Sequence, residues 1–174
     1  MESLEQKYLA MLAEAQQRGL ADVDGLRLCF EMLALTSAID RSCASRLAPL
    51  RLSEGKFVLL FLLHDRPDGL APNELAQRAG VTRATITGLL DGLERDGYLV
   101  RQGDQSDRRK LSVRLTDKGQ AMAGDLFAEH ARWIGSLFQG FEQHERDTLG
   151  ALLRRVGRNV ARADLGGPAE GTTP

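Results

Sequence analysis

Cysteine, histidine and unbroken apolar runs are all scarce in this 174-residue chain, and each scarcity removes a class of function. The two cysteines, Cys29 and Cys43, supply neither a disulfide framework nor a metal cluster. His64, His130 and His144 are scattered, with no HxxxH or Cys/His grouping, so no metal site is expected. No apolar run approaches the roughly 20 residues that span a bilayer, which excludes a membrane role. Residues 1–19 alternate charged with apolar side chains and lack the continuous apolar stretch of a secretory signal, so a cytoplasmic protein is expected. Paired carboxylates, a nucleophile elbow and a phosphate loop are also missing, so neither an enzyme nor a cofactor is expected.

What is present suits one compact core, with 43% hydrophobic and 27% charged residues. The net charge is only -1, so the chain is no polycation that binds nucleic acid indiscriminately. Its distribution is uneven. Six basic residues (Arg101, Arg108, Arg109, Lys110, Arg114 and Lys118) face three acidic ones (Asp104, Asp107 and Asp117) between positions 101 and 118. Arginine outnumbers lysine 19 to 4, and the planar guanidinium suits phosphate forks and narrow grooves.

The apolar spacing predicts a mainly α chain. Leu4, Tyr8, Leu12 and Ala15 mark a short amphipathic helix ending near Gly19, and a longer one covers residues 24–48 until Pro49 stops it. Ser53 is placed to cap a helix over 54–65 that is apolar almost all round, which implies burial, and HDRPDG closes it as a turn. Pro72 opens a two-turn helix ended by Gly80, and Thr82 caps the next, whose Ile86, Leu89, Leu90 and Leu93 share a face. The period then changes to two. Residues 98–100 and 111–115 read as strands around the polar loop GDQSDRRK. Thr116 caps a helix to about Gly140, striped by Met122, Leu126, Ile134, Leu137 and Phe141, with Trp133 beside the stripe. A last helix over 142–162 carries Leu149, Leu152, Leu153, Val156 and Val160, a stripe in need of a partner. The tail, residues 164–174, is rich in Gly, Pro and Thr and reads as disordered.

The order helix, tight turn, helix, hairpin carries the functional expectation. Ala76, Gly80, Ile86 and Leu89 fall at the spacing that lets two helices cross steeply around a short turn, with Gly80 where a left-handed backbone is required. Helical hairpins of this kind also occur in enzymes; the arginine-tipped hairpin that follows favours DNA.

Through LSEGKFVLLFLL, ELAQRAGVTRATITGLLDGLERDGYLVRQ and DQSDRRKLSVRLTDKGQAM, over about residues 25–160, the chain resembles the MarR family. Its length and extra N-terminal helix look most like the multidrug-efflux repressor branch. The resemblance implies a winged helix-turn-helix with long dimerisation helices. Residues 1–50 and 117–163 would build a homodimer and residues 51–116 the DNA-binding lobe. Carried over by position, Thr82, Arg83, Thr85 and Thr87 would enter the major groove of double-stranded DNA. Arg109 would enter the minor groove, Arg108 and Lys110 would meet phosphates, and Asp107 would hold the wing by an ion pair. Gly88 and Gly92 depart from the family, where many relatives carry arginine.

The implied function is a transcriptional regulator, a repressor on a pseudo-palindromic operator that a small aromatic or drug-like effector releases. Trp133, Phe127, Phe138 and Phe141 are weighed as an effector cavity against plain core, which is favoured. Cys29 in LCF sits where a peroxide-sensing branch keeps its thiol, so a redox role is the alternative, although only Tyr8 and Tyr98 could serve as tyrosine partners. A winged-helix protein-interaction module is the other alternative.

Overall fold

The computed structural model describes residues 5–103 and 111–165. They form helices α1 (Gln6–Gln17), α2 (Val23–Leu47), α3 (Glu54–Leu63), α4 (Pro72–Ala79), α5 (Arg83–Arg95), α6 (Asp117–Leu137) and α7 (Gln143–Leu165). Strands β1 (Leu99–Gly103) and β2 (Leu111–Leu115) lie between α5 and α6. Among these residues no helix is long and apolar enough to cross a membrane. The chain divides into two compact units, Met1–Gly124 and Asp125–Pro174.

In the first unit α1 buries Leu12 and Ala15, and the Tyr8 ring stacks on Phe30 of α2 with centroids 4.7 Å apart. Asp22, in a left-handed conformation, starts α2 by accepting a hydrogen bond from the Gly25 amide at 3.0 Å. Ser53 caps α3 as its sequence predicts, accepting from the Lys56 amide at 3.3 Å. Burial of α3 differs from expectation. Leu59, Leu60 and Leu63 are fully buried, yet Phe61 is exposed, so an almost wholly apolar helix is covered mainly on one side. It also stops at Leu63, because His64 turns to extended backbone and Asp65 takes a positive φ of 58°.

Pro72 stands at the start of α4, where a missing N–H leaves no helical bond unmade. Gly80 ends the helix at φ 65°, and the Val81 amide reaches back to the Ala76 carbonyl at 3.0 Å. That reversal sends the chain directly into α5. Leu75 and Ala76 of α4 and Ile86, Leu90 and Leu93 of α5 are buried, while Leu89 is half-buried.

The hairpin is antiparallel, pairing Leu99 with Leu115 and Gly103 with Leu111. Leu99 and Val113 point into the core, and Val100 and its partner Arg114 lie on the other face, the alternation a half-buried ribbon requires; Leu111 shares the face of Val113 but is exposed at the far end of β2. Leu70 adds a third short pairing that the sequence does not reveal. Its amide and carbonyl bond Val113 at 3.0 and 2.9 Å, so the chain after HDRPDG enters the sheet. Gly69 precedes it at φ 71°, where any Cβ would collide with the Val113 carbonyl. Thr116 caps α6, accepting from the Gly119 amide at 3.1 Å and donating to the Gly97 carbonyl at 2.8 Å.

In the second unit α6 ends at Leu137, short of Gly140, which has a φ of 85°. The Arg146 guanidinium closes the following turn by donating to the carbonyls of Phe138 and Phe141 at 2.9 and 3.2 Å. Trp133 is buried whereas Ile134 and Leu137 are more than one-third exposed, so the buried line of α6 runs through Trp133 and not beside it. Along α7, Leu152, Leu153, Val156 and Val160 are 40–57% exposed. The helix continues to Leu165, past the expected 162. The rest of the tail, residues 166–174, lies outside the described residues.

Candidate nucleic-acid interface

The turn from α4 to α5 places a short row of polar side chains at the start of α5. Thr82, Arg83, Thr85 and Thr87 are all exposed, while Ile86, Leu90 and Leu93 hold the opposite face in the core. Two of the threonines also work within the helix. Thr82 accepts from the Thr85 amide at 3.2 Å and shares a hydroxyl–hydroxyl bond of 2.9 Å with Thr85. Thr87 donates to the Arg83 carbonyl at 2.9 Å, which leaves its oxygen free to accept. The Arg83 guanidinium makes no hydrogen bond or ion pair with the described residues, so its whole donor fork is available. The helix N-terminus adds a partial positive charge beside it.

The basic cluster around the hairpin is less available than its count suggests. Arg101 of β1 is ion-paired to Asp91 and to Glu94, both on α5; its Nε lies 3.5 Å from Glu94 Oε2, and its backbone amide donates to Glu94 Oε1 at 3.3 Å. Arg114 donates to the Asp68 carbonyl at 3.2 Å. Lys118 donates to the Asp96 carbonyl at 2.7 Å with its ammonium 4.4 Å from the Tyr98 ring centroid. Three of the six clustered basic residues are thus committed to internal contacts. Asp107, Arg108, Arg109 and Lys110 lie outside the described residues.

Sequence reasoning missed the Arg101 anchor. A signal existed: the two-residue alternation of β1 puts Arg101 on the same face as buried Leu99, and a cation there needs carboxylates, which Asp91 and Glu94 supply one helical turn apart.

The two glycines of α5 stand in different surroundings. A Cβ at Gly88 would meet nothing within 4 Å, so that position is bare, exposed helix surface. Gly92 is buried, and a Cβ there would lie 2.9 Å from Cε of Lys56. Lys56 crosses over Gly92 to reach Asp96 at 2.8 Å, tying α3 to the end of α5. That ammonium holds the Asp96 carboxyl below its ordinary range.

The remaining candidates are dispersed. The Cys29 thiol is exposed on α2. Cys43 is half-buried, and burial pushes its thiol up, away from the reactive thiolate form. The His64 ring contacts Gln120 Oε1 at 3.0 Å, and no group of three metal-ligating side chains occurs among the described residues. Trp133 is buried, whereas Phe127, Phe138 and Phe141 are partly exposed.

Comparison with known proteins gives a consistent picture. The MarR family model matches residues 52–110, which span α3 to the end of the segment after β1. The HTH-type transcriptional repressor YetL of Bacillus subtilis (strain 168) is 36% identical over 155 residues, covering 86% of this chain and 93% of YetL. The HTH-type transcriptional regulator PecS of Dickeya dadantii (strain 3937) is 28% identical over 141 residues, covering 80% and 85%. Among solved structures, a MarR protein from Peptoclostridium difficile superposes with a TM-score of 0.63 at 27% identity, covering 81% of this chain and 90% of that one.

Proposed function

The chain belongs to the MarR family of DNA-binding transcriptional regulators, and from that premise we propose that it is a homodimeric repressor that occupies a pseudo-palindromic operator. The observation that carries the reading is the face of α5. Four polar side chains, Thr82, Arg83, Thr85 and Thr87, stand exposed on a helix whose other side is fixed in the core, as insertion into a major groove requires. Arg109 enters the flanking minor groove, Arg108 and Lys110 meet phosphates, and Asp107 steadies the wing. A second copy covers the exposed stripe of α7, and the paired lobes read half-sites about one helical turn, roughly 10 bp, apart. A small aromatic or drug-like ligand that favours another lobe spacing releases the operator.

An electrophoretic shift assay tests the assignment. Arg109→Ala weakens binding, most at sites with A·T-rich flanks; equal affinity of variant and wild type across such sites removes Arg109 from the interface. The exposure of Cys29 favours a second reading, release by peroxide. Under it, peroxide frees DNA from wild type but not from Cys29→Ser, and release from both proteins rejects it.

A further inference from the structure

We propose that Asp91 and Glu94 strengthen DNA binding although they carry negative charge, because they position the hairpin through Arg101. The inference rests on the DNA-binding reading above. Asp91 projects from the exposed side of α5, with 59% of its side chain accessible, so it shares the helix surface that approaches phosphates. Coulomb repulsion alone makes a carboxylate there unfavourable. The structure gives it another task. Asp91 and Glu94 converge on the guanidinium of Arg101, whose side chain is only 24% exposed. Glu94 also takes the Arg101 backbone amide, so side chain and main chain of β1 are both fastened to α5. Arg101 Nε is buried without a hydrogen bond of its own, so removal of the carboxylates leaves a poorly solvated cation that must move to water.

Arg101 lies directly opposite Val113, so its anchoring holds both strands that carry the basic segment 108–110. Other ties secure the far side of the ribbon: Leu70 pairs with Val113, and Thr116 and Lys118 bond the end of α5. The Arg101 cluster is the tie on the α5 face. Asp91, Glu94 and Arg101 are therefore positioning residues for the wing.

Charge and positioning predict opposite signs, which makes the test direct. The dimer is titrated with a labelled duplex of about 30 bp, of mixed sequence with an A·T-rich half, from about 50 to 200 mM salt. Asp91→Asn with Glu94→Gln removes two negative charges near the carboxyl end of α5, where the helix dipole disfavours them, so the helix itself loses nothing. If positioning governs, the double variant binds about tenfold more weakly, and its salt slope falls by about 1 to 2 as wing phosphate contacts are lost. In an Arg101→Gln background the same pair of changes has no further effect. Tighter or unchanged binding with an unchanged slope, or equal losses in both backgrounds, overturns the proposal while leaving DNA binding intact. Failure of wild type to bind the duplex at the lowest salt overturns the DNA-binding reading instead.

Discussion

The lobe from α3 to the hairpin and the helix α7 treat their leucines in opposite ways. In the first, Leu59, Leu60, Leu63, Leu75 and Leu93 have no accessible surface, packed where α3, α4, α5 and the hairpin converge. In the second, Leu152 and Leu153 are each more than half exposed on α7, followed by Val156 and Val160 on the same helix. Both segments have helical periodicity and aliphatic stripes. The lesson is that a stripe records the need for burial without saying whether the same chain satisfies it. A lobe with its own core can hold α5 rigidly, whereas a helix with an uncovered stripe is suited to join two copies.

The strongest way to break this contrast is through the lobe's core. Leu93→Ala deletes a fully buried side chain and is expected to cost about 2–5 kcal/mol, measured by denaturant unfolding. The cost is the same at low and high protein concentration, because the cavity lies within one subunit. A loss that shrinks as concentration rises shows that the lobe's core depends on its partner.

Leu153→Asp probes the other side of the comparison. In an isolated subunit a charge at an exposed helix position changes stability by less than about 0.5 kcal/mol. In a dimer it buries a carboxylate against apolar surface, and dissociation is expected to strengthen by about 30-fold or more, equivalent to about 2 kcal/mol. Sedimentation over a dilution series distinguishes these outcomes, and an unaltered association rejects α7 as the dimer surface.

How much of this was legible depended on the range of the interaction. Ser53, Thr82, Thr116 and Gly80 were each readable as helix punctuation, because a cap is completed by amides or carbonyls within a few residues. The α5 face was readable for the same reason. The Leu70–Val113 pairing joins positions 43 apart, and no local pattern marks it. Arg101 was only counted within the basic cluster, because the partners that hold it sit on another element. For α3, composition gave apolarity but not direction, so Phe61 looked as buried as Leu60. Trp133 replaced Ile134 in the buried line because a neighbouring position on a helix lies only about 100° round the axis, within the tolerance of a wide stripe.

Thr82→Ala gives a smaller effect that sharpens the reading of the α4–α5 turn. It removes the acceptor for the Thr85 amide and is expected to cost about 1 kcal/mol, with Thr82→Ser restoring the stability. A thermal melt in which Ser fails to recover what Ala loses assigns the effect to the methyl group and not the cap.

The smallest effect separates the two glycines of α5, which identical composition makes look equivalent. Gly88→Ala is expected to raise stability by up to about 1 kcal/mol, since a methyl there meets nothing and the unfolded chain loses freedom. Gly92→Ala has the same propensity gain but displaces Lys56 from its 2.8 Å contact with Asp96, so it gains less. The difference is pH-dependent with a defined sign. The Asp96 carboxyl is lowered in the folded protein, so its ion pair contributes above the ordinary carboxyl range and is lost as pH falls through the depressed folded value. Stability curves of the two variants relative to wild type are therefore separated at neutral pH and converge in acid. Curves that stay equally separated into acid place the Gly92 constraint in backbone packing and not in the passage of Lys56.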